Sequence, residues 1–479
     1  MNYRAIFNIL GSVLLIEAGL LMIPIIVAGI YQESAGIYFL ITGAICAALG
    51  LILKLVTKRN HNFYAKEGFF MVALSWIVIS IFGALPFFLS GYIPSYIDAL
   101  FETISGFTTT GATILTDVEV LPKCLLFWRS LTHWIGGMGI LVFIVAILPS
   151  AGGDNMHLMR VESPGPSVDK LVPKAKHTAF ILYGIYVLLS LMMFISVILG
   201  GMSVFDALTT TFATAGTGGF GNYNSSMADY SATLQWIIGV FMVMFGINFN
   251  MYFLILAGKL KEGFKITEIR RYLEIIGVAT LLIVLCTHNM FDSLGDAIRN
   301  VFFSVASVIT TTGFATTDFN LWPMFAKAII VVLMLIGACA GSTGGGIKVS
   351  RVILAVRMIK EQIRAFIHPH VARSTKLDGN VVSKDVRLSL SAFFMLYLIL
   401  MFGSFIIVSI DNFDFETSFT SVATCISNVG PGLSKVGPSG NFAGFSILSK
   451  FVLMFDMLAG RLELFPILML FSLRTWRRR

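Results

Sequence analysis

The chain has 479 residues, of which 56% are hydrophobic and only 13% are charged, and its formal net charge is +8. A soluble protein of this length carries roughly twice that share of charged residues, so the composition excludes an ordinary soluble enzyme and indicates a polytopic membrane protein. The five cysteines form neither a CxxC pair nor a disulfide framework.

Long apolar runs predict ten membrane-spanning helices, because a spanning helix needs about 20 mostly apolar residues. In chain order they cover about 6–30, 37–57, 68–91, 127–149, 177–200, 233–257, 270–289, 325–347, 387–410 and 445–472. The eighth run continues after a break to about residue 368. Four other stretches are too short and too polar at their ends to span, and they are predicted to be re-entrant half-helices. They cover about 95–110, 203–215, 294–312 and 414–428.

The basic residues predict the orientation of these helices. Most of the 34 Lys and Arg residues fall on one side of the predicted membrane. They lie at Arg4, in the segments 54–66, 160–176, 259–271 and 348–387, and in the C-terminal RTWRRR. The positive-inside rule places that side, with both termini, in the cytoplasm and all four half-helices on the outer side.

The order of elements is repetitive, which predicts an all-α fold built from four parallel units. An initial helix pair, residues 1–66, precedes four units of helix, half-helix and helix. The units cover 67–160, 161–265, 266–376 and 377–479. Each half-helix starts with an acidic residue, which suits the positive end of a helix dipole. These residues are Asp98, Asp206, Asp296 and Glu416.

A glycine follows each half-helix in similar surroundings. The four motifs are TTTGAT, ATAGTGG, TTTGFAT and SNVGPG, with the glycines Gly111, Gly216, Gly313 and Gly430. Non-helical backbone at membrane depth persists only where protein or water covers it. Four such segments around one axis are expected to line a water-filled path whose carbonyl oxygens bind an alkali cation. The predicted ion-binding residues are Thr109, Thr110, Gly111, Thr214, Ala215, Gly216, Thr311, Thr312, Gly313, Asn428, Val429 and Gly430.

This pattern resembles the Trk/Ktr/HKT superfamily of potassium uptake channels, and specifically its Trk-H type. The four glycine motifs, GACAGSTGGGIKVSR at 337–351 and GRLELFP at 460–466 carry the resemblance, and the initial helix pair favours the Trk-H type. The resemblance covers nearly the whole chain. It implies a single chain folded around a pseudo-fourfold pore, with potassium selectivity where all four filter positions are glycine.

The resemblance also implies partners and a location. Two chains are expected to form a homodimer, gated by a cytoplasmic nucleotide-binding ring of the Trk-A type. The expected location is the bacterial plasma (inner) membrane, with lipid around the chain and no nucleic acid bound. The expected bound ion is potassium, with no organic cofactor on this chain.

A run of small residues interrupts the second helix of repeat three, and small residues hold a stiff helix poorly. The residues are Ala340, Gly341, Ser342, Thr343, Gly344, Gly345 and Gly346, followed by Lys348. From the residues alone, the simpler interpretation is a turn at the end of a helix, with the Lys348 side chain snorkelling toward the membrane surface. The resemblance instead implies an intramembrane gate loop beneath the filter.

Charged residues within apolar runs are expensive and mark function by default. Arg461 is predicted either to form a barrier in the pore below the filter or to be neutralised by Asp456 or Glu463, and the resemblance favours the barrier. For Arg129 and Glu17 we expect structural pairing or a position at the membrane interface.

The segment after the small residues is rich in basic residues at helical spacing. Its residues Arg351, Arg357, Lys360 and Arg364 form either a solvated face or a helix that carries motion from a cytoplasmic partner to the gate.

The leading functional hypothesis is a potassium-conducting uptake subunit that passes K⁺ and Rb⁺ down their electrochemical gradient. The alternative is a secondary symporter that couples K⁺ to H⁺ or Na⁺, although such transporters often have inverted repeats and the repeats here are parallel. An enzyme is not expected, because the sequence shows no nucleophile–base set, no metal-ligand spacing and no intact phosphate loop.

Overall fold

The computed structural model describes residues 3–57, 65–139, 175–368, 375–462 and 464–471. These parts are helical apart from turns, loops and a small antiparallel hairpin of the strands Lys376–Leu377 and Asn380–Val381.

The helices before the repeats are Tyr3–Leu20, Met22–Tyr31 and Gly36–Val56. Repeat one contains Ala65–Gly83, Leu85–Leu89, Tyr96–Phe107 and Lys123–Gly137, and repeat two contains Ala175–Leu199, Val204–Gly216, Ala232–Phe245, Phe249–Leu256 and Leu260–Lys265.

The last two repeats follow the same order of elements. Repeat three contains Thr267–Thr287, Leu294–Ile309, Met324–Ile336 and Val349–Ile367. Repeat four contains Lys384–Val408, Phe415–Ser427, Ile447–Arg461 and Leu464–Phe471. Short 3₁₀ turns lie at His288–Met290, Phe319–Leu321, Ser409–Asp411 and Ser434–Val436. The predicted half-helices are therefore Tyr96–Phe107, Val204–Gly216, Leu294–Ile309 and Phe415–Ser427, which we number one to four in chain order.

Six helices in the described residues are long and apolar enough to cross a membrane, and a bent pair makes a possible seventh. The six are Tyr3–Tyr31, Gly36–Val56, Phe70–Leu89, Ala179–Leu199, Thr267–Met290 and Lys384–Asp411. This count is lower than the ten predicted from hydropathy. The difference lies in the second helix of each repeat.

Each of these second helices stops near the middle of its predicted span. They end at Gly137, Phe245, Ile336 and Arg461. In repeat two the chain then turns by 91° into Phe249–Leu256. In repeat one the rest of the predicted span, 140–149, lies outside the described residues. In repeat three the run of small residues predicted the break, whereas in repeat two hydropathy cannot reveal it, because Ala232–Phe245 and Phe249–Leu256 are both apolar.

The second helices also connect the repeats into a ring. Lys123–Gly137 of repeat one packs on half-helix two, and Ala232–Phe245 of repeat two packs on half-helix three. Met324–Ile336 packs on half-helix four, and Ile447–Arg461 packs back on half-helix one. The four half-helices are therefore held in a closed cyclic order by one chain.

Side-chain caps fix where the half-helices begin. The hydroxyls of Ser95, Ser203 and Ser293 each accept a hydrogen bond from the amide of the aspartate three residues later. In half-helix four the cap is an aspartate and the residue three positions later carries the hydroxyl. Asp414 accepts hydrogen bonds from the amide and hydroxyl of Thr417. The acidic residue that caps half-helix four is therefore Asp414, and the predicted Glu416 is the second residue of the helix. Either arrangement satisfies amides that a helix N-terminus leaves unbonded.

Candidate functional site

All four half-helices end in the same backbone turn. The residues Thr109, Thr217, Thr311 and Asn428 have φ between 54 and 58°, in the left-handed region. In each case the next amide donates to the carbonyl five residues earlier, at 2.8 or 2.9 Å. This is a Schellman ending, which satisfies carbonyls at the helix terminus and reverses the chain. The site thus has the same geometry four times, although the four sequences differ.

A glycine with positive φ lies two residues after each left-handed residue. These glycines are Gly111, Gly219, Gly313 and Gly430, with φ of 78, 79, 89 and 93°. A Cβ added to Gly111 would lie 2.0 Å from the carbonyl oxygen of Gly218 in repeat two. The corresponding distances are 1.9 Å from Gly219 to Thr312, 2.3 Å from Gly313 to Val429 and 2.6 Å from Gly430 to Thr110. Each repeat thus contacts the next around a closed ring that leaves no room for any side chain at these positions.

The member of this ring from repeat two is Gly219, and the predicted Gly216 lies three residues earlier in the chain. Gly216 is the last residue of half-helix two, and Thr214 and Ala215 lie inside that helix. The residues of repeat two that correspond to Thr109, Thr110 and Gly111 are Thr217, Gly218 and Gly219. The motif contains several glycines, and only the turn at Thr217 shows which one reaches the ring.

A cavity of about 120 Å³ adjoins the ring and is lined by all four of its glycines. Its wall includes the loops of repeats one and two, where Asn224 accepts from the amide of Val118 at 2.9 Å. The Asn224 amide also donates to Asp117 at 2.8 Å, and this hydrogen bond holds the pKa of the Asp117 carboxyl below its usual value. The wall of this cavity is therefore braced between two repeats by polar groups.

The ring loops are braced differently from one repeat to the next. In repeats one and three, pairs of threonine hydroxyls bond to each other, Thr108 to Thr110 at 2.8 Å and Thr310 to Thr312 at 2.7 Å. In repeat four, the Asn428 amide donates to the Thr110 hydroxyl of repeat one at 2.9 Å. Asn428 therefore joins the last repeat to the first.

A buried ion pair supports the loops of repeats one and two. Arg129 and Glu102 lie 2.8 Å apart with side chains 2% and 0% exposed, so the expected structural pairing of Arg129 is found. Glu102 also accepts from the amide of Ile114 at 3.0 Å, and Arg129 donates to the carbonyl of Gly221 at 3.2 Å. By contrast, neither carboxyl oxygen of the buried Glu17 has a hydrogen-bond partner among the described residues.

The run of small residues forms a loop, residues 337–348, that lies against the base of the ring. The amide of Gly345 donates to the Thr311 hydroxyl at 2.7 Å. A Cβ on Gly345 would lie 2.4 Å from the carbonyl oxygen of Ser427, at the end of half-helix four. The loop is therefore in direct contact with two of the four half-helix ends.

Positive φ values explain why this loop is not helical. Gly337, Gly341, Gly346 and Lys348 have φ between 70 and 79°. Glu268 fixes both ends of the loop, because one of its carboxyl oxygens accepts from the amides of Ala340 at 2.7 Å and Ser350 at 3.0 Å. Sequence reasoning missed Glu268, although its acidic side chain in the first turn of an apolar helix was a visible signal.

Two cationic side chains bond to carbonyls of this region. The Lys348 ammonium donates to the carbonyls of Gly344 and Gly345, so Lys348 is buried against its own loop and does not snorkel. The Arg461 guanidinium donates to the carbonyl of Thr343 at 2.7 Å and to that of Gly137 at 2.7 Å. Arg461 thus connects repeat four to the loop of repeat three and to the broken helix of repeat one.

The residues proposed as partners of Arg461 have other positions. Asp456 is fully buried and accepts from the hydroxyl of Ser404 at 2.8 Å. Glu463 lies outside the described residues. On the following basic helix, Arg357 donates to the Lys376 carbonyl of the hairpin, and Arg351 stacks 4.1 Å from the Phe393 ring.

The buried ion pair makes a first prediction. Glu102→Gln leaves the Arg129 charge buried without its partner, which typically costs about 3 kcal/mol or more. We therefore expect a melting temperature of the purified protein several degrees lower. The matched control is Glu274→Gln, which removes the exposed pair with Arg271, whose side chains are 54% and 61% exposed. Exposed pairs contribute about 1 kcal/mol or less, so equal shifts in the two variants would contradict the assigned role.

The ring geometry makes a second prediction. Gly219→Ser and Gly313→Ser each force a side chain against a main-chain carbonyl at positive φ, and each should distort the ring. We expect both variants to lose K⁺ over Na⁺ selectivity by about tenfold or more, measured as cation flux in liposomes. The control is Gly184→Ser, at a helix position with no atom within 4 Å of an added Cβ. Unaltered selectivity in Gly219→Ser would remove Gly219 from the ion path.

Comparisons with known proteins agree with this architecture. The TrkH family model, described as a cation transport protein, matches residues 35–476. The chain is 37% identical over 487 residues to the Trk system potassium uptake protein TrkH of Salmonella typhimurium, with 100% of both chains covered. It is also 32% identical to the Trk system potassium uptake protein TrkG of Escherichia coli, with 99% of both chains covered.

A solved structure resembles the whole fold. It is the crystal structure of the potassium transporter TrkH from Vibrio parahaemolyticus, with a TM-score of 0.89, 32% identity and 100% of both chains covered. The chain is thus an all-helical polytopic membrane protein, and it belongs to the TrkH family of cation transport proteins.

Proposed function

We propose that this chain is the potassium-conducting subunit of a Trk-type uptake system, and that K⁺ passes through the ring of Gly111, Gly219, Gly313 and Gly430. The observation that carries the proposal is the closed contact of each glycine with a main-chain carbonyl of the next repeat. A ring of carbonyls can replace the hydration shell of an alkali cation without any charged side chain. Relatives of the chain are named as potassium uptake proteins.

Electrostatics support a cation as the transported species. All four half-helices end at the ring, and the C-terminal end of a helix carries a partial negative charge of roughly half an elementary charge. Four such ends favour a cation at the centre. The hydroxyls of the threonine pairs are already bonded to each other, so we assign the ion-binding role chiefly to the main-chain oxygens.

Passive movement is the simplest energetic scheme. An inside-negative membrane potential favours the entry of each K⁺ by about 2.3 kcal/mol per 100 mV. Accumulation then requires no second ion. Rb⁺ is expected to follow the same path, and the proposed orientation has both termini in the cytoplasm of a bacterial inner membrane.

The loop at 337–348 is proposed to be the gate of this path. It lies against the ends of half-helices three and four, and the Arg461 and Lys348 cations bond to its carbonyls. Two positive charges below the ring oppose the passage of a cation. Opening then requires the loop to leave Arg461, and the basic helix Val349–Ile367 begins where the loop ends.

Partners remain part of the proposal. We propose that this basic helix receives motion from a cytoplasmic nucleotide-binding ring of the Trk-A type, and that two chains form a homodimer. The names of the relatives refer to a Trk system, which supports a complex of several components.

One feature favours the coupled symporter as a second candidate. Asp456 Oδ2 and both carboxyl oxygens of Glu17 are buried without a hydrogen-bond partner among the residues described. Buried acids at membrane depth are typical of proton relays. Proton coupling through Asp456 is therefore the alternative that the flux experiment must exclude.

Reconstituted flux makes a third prediction. Purified protein in liposomes, without a partner, is expected to pass K⁺ and Rb⁺ well above Na⁺ and Li⁺, driven only by voltage and the cation gradient. Flux that needs an imposed H⁺ or Na⁺ gradient would contradict passive conduction, and loss of that dependence in Asp456→Asn would then support coupling. Empty liposomes and the Gly313→Ser protein are the controls.

The gate makes a fourth prediction. Arg461→Gln removes the charge and the bonds to Thr343 and Gly137, so basal K⁺ flux should rise about tenfold or more. The control is Arg271→Gln, which removes the charge of an exposed arginine whose ion-pair partner is Glu274. Size-exclusion profiles establish that both variants are folded. A folded Arg461→Gln protein with unchanged or lower flux would count against the barrier.

A further inference from the structure

The loop of repeat two lacks the bracing side chains of the other repeats. The positions of Thr108 and Thr110 in repeat one are Gly216 and Gly218 in repeat two, so that TTTG becomes GTGG. Neither Gly216 nor Gly218 has a positive φ. Backbone conformation therefore does not require glycine at these two positions, and another cause must exclude a side chain.

The cause is a histidine from the neighbouring repeat. A Cβ on Gly218 would lie 2.3 Å from Cγ of His133 and 2.4 Å from both Cδ2 and Nδ1. A Cβ on Gly216 would lie 2.1 Å from the His133 carbonyl oxygen. The imidazole thus occupies the space that a threonine side chain at Gly218 would need, and the His133 main chain excludes a side chain at Gly216.

The imidazole is held rigidly in this space. It is fully buried, and its ring stacks on that of Phe220 at 4.2 Å with an interplanar angle of 24°. Arg129, one turn earlier on the same helix, lies 3.9 Å from the Phe220 ring centroid. Neither imidazole nitrogen has a hydrogen-bond partner of good geometry in the described residues. The volume and shape of His133 are therefore what it contributes.

We propose that His133 is a positioning residue for the ion path, whose imidazole substitutes sterically for the threonine side chain missing at Gly218 and sets where Gly218 and Gly219 lie. Gly218 supplies the carbonyl that contacts Gly111, and Gly219 is a member of the ring. A small shift of this loop changes the distances between ring carbonyls, on which discrimination between K⁺ and Na⁺ depends. The inference rests on the proposed conduction through the ring.

A steric substitution can be tested by exchanging the two partners. His133→Ala leaves a void beside Gly218, and Gly218→Thr alone collides with the imidazole. The double variant removes the imidazole and restores the threonine that repeats one and three use at this position. We expect each single variant to lose K⁺ over Na⁺ selectivity by about tenfold in liposome flux. The double variant is expected to recover to within about threefold of the wild-type ratio, because the two changes are coupled.

Two controls separate this coupling from general damage. Gly219→Ala faces the main-chain carbonyl of Thr312, so His133→Ala should not rescue it. Phe87→Ala removes a buried ring in Leu85–Leu89 of repeat one, outside the ring loops, and should lower the melting temperature without changing the selectivity ratio. The proposal is overturned if His133→Ala keeps wild-type selectivity, or if Gly218→Thr is equally harmful with and without His133.

The result that would refute the proposed function differs from the results that would overturn the role of His133. A wild-type protein with no selective cation flux would refute conduction through the ring. The steric relation is then tested by melting temperatures of the same purified proteins in detergent. The double variant is expected to melt above Gly218→Thr alone, and a double variant that melts no higher would refute the steric relation itself.

Discussion

The structure depends on one constraint, which is that main-chain polar groups at membrane depth must be satisfied by the protein itself. The chain leaves the helical conformation four times after the half-helices and again in the broken second helices. At each half-helix end a Schellman turn satisfies the terminal carbonyls and brings a short extended segment to the centre. The ring forms where the segments after these four turns meet. The closed order of the repeats surrounds these segments with protein, which lipid cannot replace.

Fourfold backbone geometry does not require fourfold side chains. Repeats one and three brace the ring loops with hydroxyl pairs, repeat four uses Asn428, and repeat two contains glycines against His133. The same asymmetry appears at the base of the ring, where the long loop at 337–348 belongs to repeat three among the described residues. The proposed gate therefore contacts one part of the ring base, at the ends of half-helices three and four.

Much of this architecture could be predicted from local patterns. The half-helices were predicted from short apolar stretches with acidic starts, and the Ser-x-x-Asp caps at Ser95, Ser203 and Ser293 explain why that worked. The sequence alone does not show that Gly219, rather than the predicted Gly216, reaches the ring. The register within GTGG depends on the turn at Thr217 and on contact with His133, a residue distant in sequence. The break in repeat three was predicted from its run of small residues, and the helix there does end at Ile336. The ends of the other second helices were missed, since packing between repeats decides where an apolar helix ends.

The bond between Asn428 and Thr110 joins residues 318 positions apart, and the Lys450–Asp98 ion pair joins residues 352 apart. The seam between the first and last repeats therefore consists of the most distant contacts in the site. Chains are synthesised from the N-terminus, and domains generally fold as they emerge. Repeats one to three therefore form an open arc in the membrane until repeat four is inserted. During that time the carbonyl of Thr110 faces no neighbouring repeat. In that order, completion of the ring is the final step of assembly, and it depends on the insertion of repeat four.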